Sequence, residues 1–161
     1  MDGARENTDL LATARRLIPT EGNDFGAVAR GGAAERSFRA RTAPLVHADF
    51  EAVWPGTDEP TSGLEPTMGA LRRVGRIFDR LVAVPELYVE LDDAVLVLLH
   101  REGRTFNGYE FSEAGAVIYE FDEGLLRRMI LFAHREPALE RAGMTADEAE
   151  RRGVPPEPRP S

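Results

Sequence analysis

A chain of 161 residues that is 42% hydrophobic and 30% charged has the size and make-up of one globular domain with a single core. Its 28 acids against 20 bases leave a net charge of −8, which argues against nucleic acid as a partner, because such binding rests on clustered cations that neutralise phosphates. There is no cysteine, which excludes disulfides, thiolate nucleophiles and thiolate metal sites and suits a reducing cytoplasm.

The N-terminal "MDGARENTDLL" has no apolar core of signal-peptide length, and the longest apolar run, Ala94 to Leu99, is too short to span a bilayer. A cytoplasmic protein with no membrane partner is expected, with residues 1–9 flexible. From Thr8 to Ile18, "TDLLATARRLI" repeats apolar residues at three- and four-residue steps and predicts an amphipathic helix, stopped by Pro19 and Gly22. Asp24 to Pro44 predicts two short helices broken at "RGG". In "DFEAVWPG" the alternation of a strand puts Phe50, Ala52 and Trp54 on one face, and Pro55 ends it. Gly56 to Pro66 has the Gly, Pro and Thr content of a loop, expected to act as a lid.

Thr67 is then expected to cap a helix with apolar residues at Met68, Leu71, Val74, Ile77, Phe78, Leu81 and Val82 and a solvated face of Arg72, Arg73, Arg76 and Arg80. After Pro85 the period changes to two. "ELYVEL", "AVLVLLHRE", "YEFSEAGAVIYEF" and "LLRRMILFAH" predict four strands of an antiparallel meander, with turns at Asn107-Gly108 and Asp122-Glu123-Gly124. Helices that precede a meander indicate an α+β fold, with the helices on one face of a curved antiparallel sheet. "REPALERAG" predicts a short helix stopped by Gly143, and "TADE" opens a last one as a capping box before a disordered tail, "PPEPRPS".

On the strand from Tyr109 to Phe121, alternation puts Tyr109, Phe111, Glu113, Gly115, Val117 and Tyr119 on one face. Glu113 is either an acid–base group, its pKa raised by burial in an apolar wall, or a hydrated carboxylate at the rim. Tyr119 could donate a hydrogen bond to a bound carbonyl or simply pack. His47 and Asp49 could form a general-base pair if the segment is extended, although Asp at such a junction also caps and turns. His100 ends a strand, with Glu102 or Glu113 as a possible partner. Of Arg127 and Arg128 one must face inward and would need a carboxylate, for which Glu113 is a candidate. The scattered histidines offer no metal-ligand spacing, and no phosphate loop or serine elbow is present, so neither metal nor cofactor is expected.

Several motifs taken together — "APLVHADFEAVWPG", the Arg-rich helix, "DDAVLVLLHREGR" and above all "EFDEGLLRRMILFAHREPALERAGM" — resemble the SnoaL-like branch of the nuclear transport factor 2-like superfamily. The resemblance implies a domain over residues 10–144, followed by a helix and tail over 145–161, folded as a cone-shaped, cystatin-like α+β barrel around a blind apolar pocket. It further implies a pocket wall that includes Trp54, Tyr109, Phe111, Val117 and Met129, with His100 and Arg128 beside it. Steroid-isomerase-like members carry a proton-shuttling carboxylate immediately before the proline and a carboxylic acid on the strand matching "AGAVIYEF". The matching residues here are Trp54 and Val117, so that mechanism does not transfer. Two functions remain in view. One is a cofactor-independent isomerase, cyclase or hydrolase acting on a polycyclic or terpenoid-like substrate, with Glu113, Tyr119, His47 and Asp49 as catalytic candidates. The other is a non-catalytic ligand-binding or dimerisation module. A homodimer is expected in either case, through an outer sheet face offering Val95, Val97 and Leu99 or their alternates.

Overall fold

A computed structural model describes residues 9–57 and 59–158; the expected flexible N-terminus up to Thr8, Asp58 of the loop and the tail from Arg159 lie outside them. The chain begins with helix α1 (Leu10–Leu17), the two-residue strand β1 (Asn23–Asp24), α2 (Phe25–Ala29) and α3 (Ala33–Thr42). Strands β2 (Val46–Val53) and β3 (Thr61–Ser62) then lead to α4 (Leu64–Val74). The meander β4 (Phe78–Glu90), β5 (Ala94–Thr105), β6 (Glu110–Asp122) and β7 (Leu125–Phe132) follows, and α5 (Arg135–Ala142) and α6 (Ala146–Arg152) close the fold.

Local chemistry explains most of these boundaries. Asp9 and Asp24 accept backbone N–H groups of Ala12 and Ala27 at 3.0 and 3.1 Å, supplying the missing acceptors at the starts of α1 and α2. Thr145 and Glu148 make both bonds of the capping box at α6. The β6–β7 turn has positive φ at both Glu123 (54°) and Gly124 (79°), the backbone twist that matches a tight hairpin.

The seven strands form one curled sheet in the order β1-β4-β5-β6-β7-β2-β3. The meander is antiparallel as expected, but the sheet as a whole is mixed, because β2 joins β7 in parallel, with Ala52 opposite Met129 and Val53 opposite Ile130. That pairing brings the Trp54 segment beside the last strand. The inner sheet face, with Val95, Val97, Leu99, Val117 and Tyr119, packs with Ala14 and Leu17 of α1, with Ile18 just after it and with Phe50 of β2.

One expectation is corrected here and one alternative is decided. The long helix after Thr67 is shorter and starts earlier, at Leu64; the Thr67 hydroxyl bonds the Gly63 carbonyl at 2.7 Å from inside it, and Phe78, Leu81 and Val82 belong to β4. Pro85 interrupts nothing: it lies within β4 beside an irregularity in the pairing with β5, where a missing N–H is tolerated. Second, of the two sets offered for the outer face, Val95, Val97 and Leu99 face inward. Their alternates Leu96 and Leu98 form the outer face, and Ala138, Met144 and Ala149 of the C-terminal segment cover it. The doubly apolar strand is therefore covered on both sides within one chain.

Candidate ligand pocket

Between the inner sheet face and α2–α4 lies a cavity of about 560 Å3, within the range that holds drug-sized molecules. The sheet contributes Val117, Tyr119 and Leu126, the helices Phe25, Phe38 and Met68. A smaller depression of about 340 Å3 around Arg80, Glu102 and Ser112 is open to solvent.

The alternation read along β6 places Tyr109, Phe111, Glu113, Val117 and Tyr119 on the cavity wall. Trp54 and Met129 line it as well, from β2's end and from β7. The Trp54 indole N–H donates to the Thr61 hydroxyl at 2.9 Å, which pins the expected lid loop to the end of β2. His47, Asp49, His100 and Arg128 do not line the cavity. His47 Nδ1 accepts the Asp49 backbone N–H at 2.9 Å, and its Nε2 lies 3.4 Å from Asp122 Oδ2, so the two residues are joined through backbone and the Asp49 side chain is exposed. His100 Nε2 bonds the Ser112 hydroxyl at 2.7 Å, rather than Glu102 or Glu113. Arg128 pairs with Glu51 of neighbouring β2 at 3.0 Å.

His47, Asp122 and Glu123 bring ligand atoms within 4.8 Å of one another. His47 Nδ1 is already occupied by the Asp49 backbone N–H, and its Nε2 faces Asp122. The cluster is an anchored turn.

The charge inside the cavity comes from a residue the sequence reading passed over. Arg101 and Glu113, opposite one another on β5 and β6, pair at 3.0 Å and are the only charged residues of the wall among the described residues. Arg101 follows Val95, Val97 and Leu99 at period two, so the inward arginine sought on β7 was legible on β5. Asn23 and Thr42 also went unnoticed; each is buried on the wall, with the Asn23 amide bonded to Leu17 O (3.0 Å) and the Thr42 hydroxyl to Phe38 O (2.8 Å).

Tyr119 is 5% exposed, and its hydroxyl meets no hydrogen-bond partner among the described residues. Burial holds its pKa far above the ordinary phenol value; neighbouring Tyr88 adds to this, and the nearby Arg41 cation opposes it. Burial thus keeps the Tyr119 phenol protonated at neutral pH. Arg41 itself, bonded to Asn23 Oδ1 and set against the Phe38 ring at 5.4 Å, has its pKa lowered by burial.

A curled sheet closed over helices is the cone-shaped α+β fold of nuclear transport factor 2-like and cystatin-fold proteins, and the chain has that fold. No family model matches the chain, and no curated protein does. Among solved structures it is similar to a protein of Jannaschia sp. CCS1 described as a SnoaL-like polyketide cyclase, at 19% identity and a TM-score of 0.63 over 88% of this chain and 96% of the other. It is also similar to TerC co-crystallised with polyporic acid, at 17% identity, a TM-score of 0.57 and coverage of 85% and 97%. A third is a Catenulispora acidiphila protein with a ketosteroid isomerase-like fold in complex with trimethylamine, at 14% identity, a TM-score of 0.53 and coverage of 86% and 95%. No helix of the described residues is long and apolar enough to cross a membrane.

Proposed function

We propose that the chain is a SnoaL-like small-molecule pocket protein that takes an apolar, polycyclic or terpenoid-like ligand into its cavity. Where it is catalytic, it works without a cofactor, by acid–base chemistry of the isomerase, cyclase or hydrolase kind. The observation that carries this reading is an apolar cavity of about 560 Å3 whose wall holds the buried residue Tyr119, its hydroxyl without a hydrogen-bond partner among the described residues. Tyr119 would donate to a ligand oxygen and stabilise negative charge developing there, as a preorganised donor in a dry site does. Glu113, the only carboxylate on the wall among the described residues, would serve as a base once freed from Arg101. The co-crystallisation of TerC with polyporic acid supports a ligand of this general kind on this fold.

One observation favours the non-catalytic alternative, a binding module. The wall carboxylate is already ion-paired, and Trp54 and Val117 stand where steroid-isomerase-like proteins use carboxylates. The proposal places the protein in the cytoplasm as a homodimer. Because the outer sheet face is covered, the second copy would use a different surface, and light scattering tests this.

Native mass spectrometry of the protein purified from its own host tests the reading. A retained mass of a few hundred daltons is expected for a ligand that fits a drug-sized cavity. The Tyr119→Phe variant should carry about tenfold less of it, the loss of one buried hydrogen bond of ~1.4 kcal/mol. Bare protein in both samples would count against a resident ligand.

A further inference from the structure

We infer that the ligand is an organic acid with a large apolar body, and that its carboxylate binds Arg101 by displacing Glu113. This rests on the pocket reading above and names the class of molecule the pocket takes.

Arg101 and Glu113 are unequal partners. The Nη2 of Arg101 donates to Glu113 Oε1 at 3.0 Å and to the backbone carbonyl of Ala133 at 3.2 Å. Its Nε is buried and makes no hydrogen bond, and Nη1 makes none among the described residues. The guanidinium lies across Gly115, where a Cβ would stand 2.9 Å from Nε, so the missing side chain gives the cation its seat. A backbone carbonyl and a close-packed glycine thus fix the arginine; its side chain is 26% exposed. The Glu113 side chain is 52% exposed, with Arg101 as its only hydrogen-bond partner among the described residues, and can rotate into water at little cost.

A fixed cation with a removable counter-ion, at the edge of an apolar cavity, suits an amphipathic acid. The apolar body fills the hollow, and the carboxylate meets a planar fork of donors with unused capacity. A neutral ligand would leave the resident pair as it is and gain nothing from it. A cationic ligand would have to sit beside Arg101. The protein's net charge of −8 opposes any acid at a distance, but screening over about 8 Å at physiological salt leaves the decision to the local pair.

The test uses naphthoic acid and naphthamide, matched in shape and differing in charge. Binding at pH 7 is read by calorimetry and by the emission of Trp54, the only tryptophan in the chain and part of the cavity wall. The acid should bind about tenfold more tightly than the amide, as one charge-assisted contact implies. Arg101→Leu should bring the two within about twofold, the charge-assisted contact being gone. Glu113→Gln, at a half-exposed position that leaves the fold alone, should tighten the acid about threefold without changing the amide, because the competing carboxylate is gone. Equal binding of acid and amide by the wild-type protein overturns the inference and leaves the pocket reading standing. So does weaker acid binding by Glu113→Gln. If neither compound binds, the inference and the pocket reading fall together.

Discussion

Replacing Tyr88 with alanine is expected to lower the free energy of unfolding by about 4 kcal/mol, the cost of deleting a fully buried aromatic and leaving a cavity behind. Tyr88 is 0% exposed in the inner core, between the sheet and α1. Its hydroxyl donates to Ile18 O at 2.6 Å, and the Arg15 guanidinium lies 5.5 Å from its ring centre. Its backbone also holds the chain after α6, through reciprocal bonds with Val154 at 2.9 and 2.7 Å. Tyr88→Phe keeps the ring and removes only the hydroxyl, which should cost about 1–2 kcal/mol, because the Ile18 carbonyl loses its side-chain donor. Urea unfolding of both variants at 25 °C gives the comparison. A loss below about 1.5 kcal/mol for the alanine variant would mean that this part of the core is looser than described.

Stability should also fall steeply above pH 10, and two buried tyrosines are the cause. Burial pushes the Tyr88 pKa up to about 12, and burial likewise raises that of Tyr119. An unfolded tyrosine titrates near pH 10. Between these values the folded chain keeps protons that the unfolded chain has lost, so rising pH favours unfolding; below pH 10 neither group contributes any slope. Tyr88 alone accounts for about 2 kcal/mol by pH 12, where its folded form is itself half ionised, and Tyr119 adds to it. Urea unfolding at pH 9, 10, 11 and 12 should give a plateau and then a decline, and at pH 11 and below phenolate absorbance of these two residues should appear chiefly with unfolding. A flat stability profile to pH 12 would show that both phenols reach water in the folded state.

The parts of this fold that were readable in the sequence are those fixed by local chemistry. Turn glycines, the "TADE" capping box and strict alternation in β6 each leave a signature within a few residues. Five wall residues, from Tyr109 to Tyr119, follow from that alternation alone. What escaped depends on contacts between distant segments. Phe78, Leu81 and Val82 continue the helical spacing of α4, and only their segment's pairing with β5 makes it a strand. In "AVLVLLHRE" both faces are apolar, so nothing local tells which one meets α1 and which meets α5 and α6.

The candidate site divides in the same way. Glu113 and Tyr119 were found because β6 presents them in register, whereas the partner of Glu113 sits on β5, and Arg128 turned instead to Glu51 on the parallel neighbour β2. His47 and Asp49 looked like an acid–base pair by spacing. The strand directs them away from the cavity and joins them through a backbone N–H.

The account depends on an empty, apolar, reachable hollow between the sheet and α2–α4, and xenon is the most direct probe of such a space. Diffraction from a crystal held under xenon gas should show the atoms in contact with Val117, Met129 and Met68, with the surrounding side chains unmoved. Xenon missing from that region, with Trp54 and Phe111 packed into the space between β6 and α4, would contradict it.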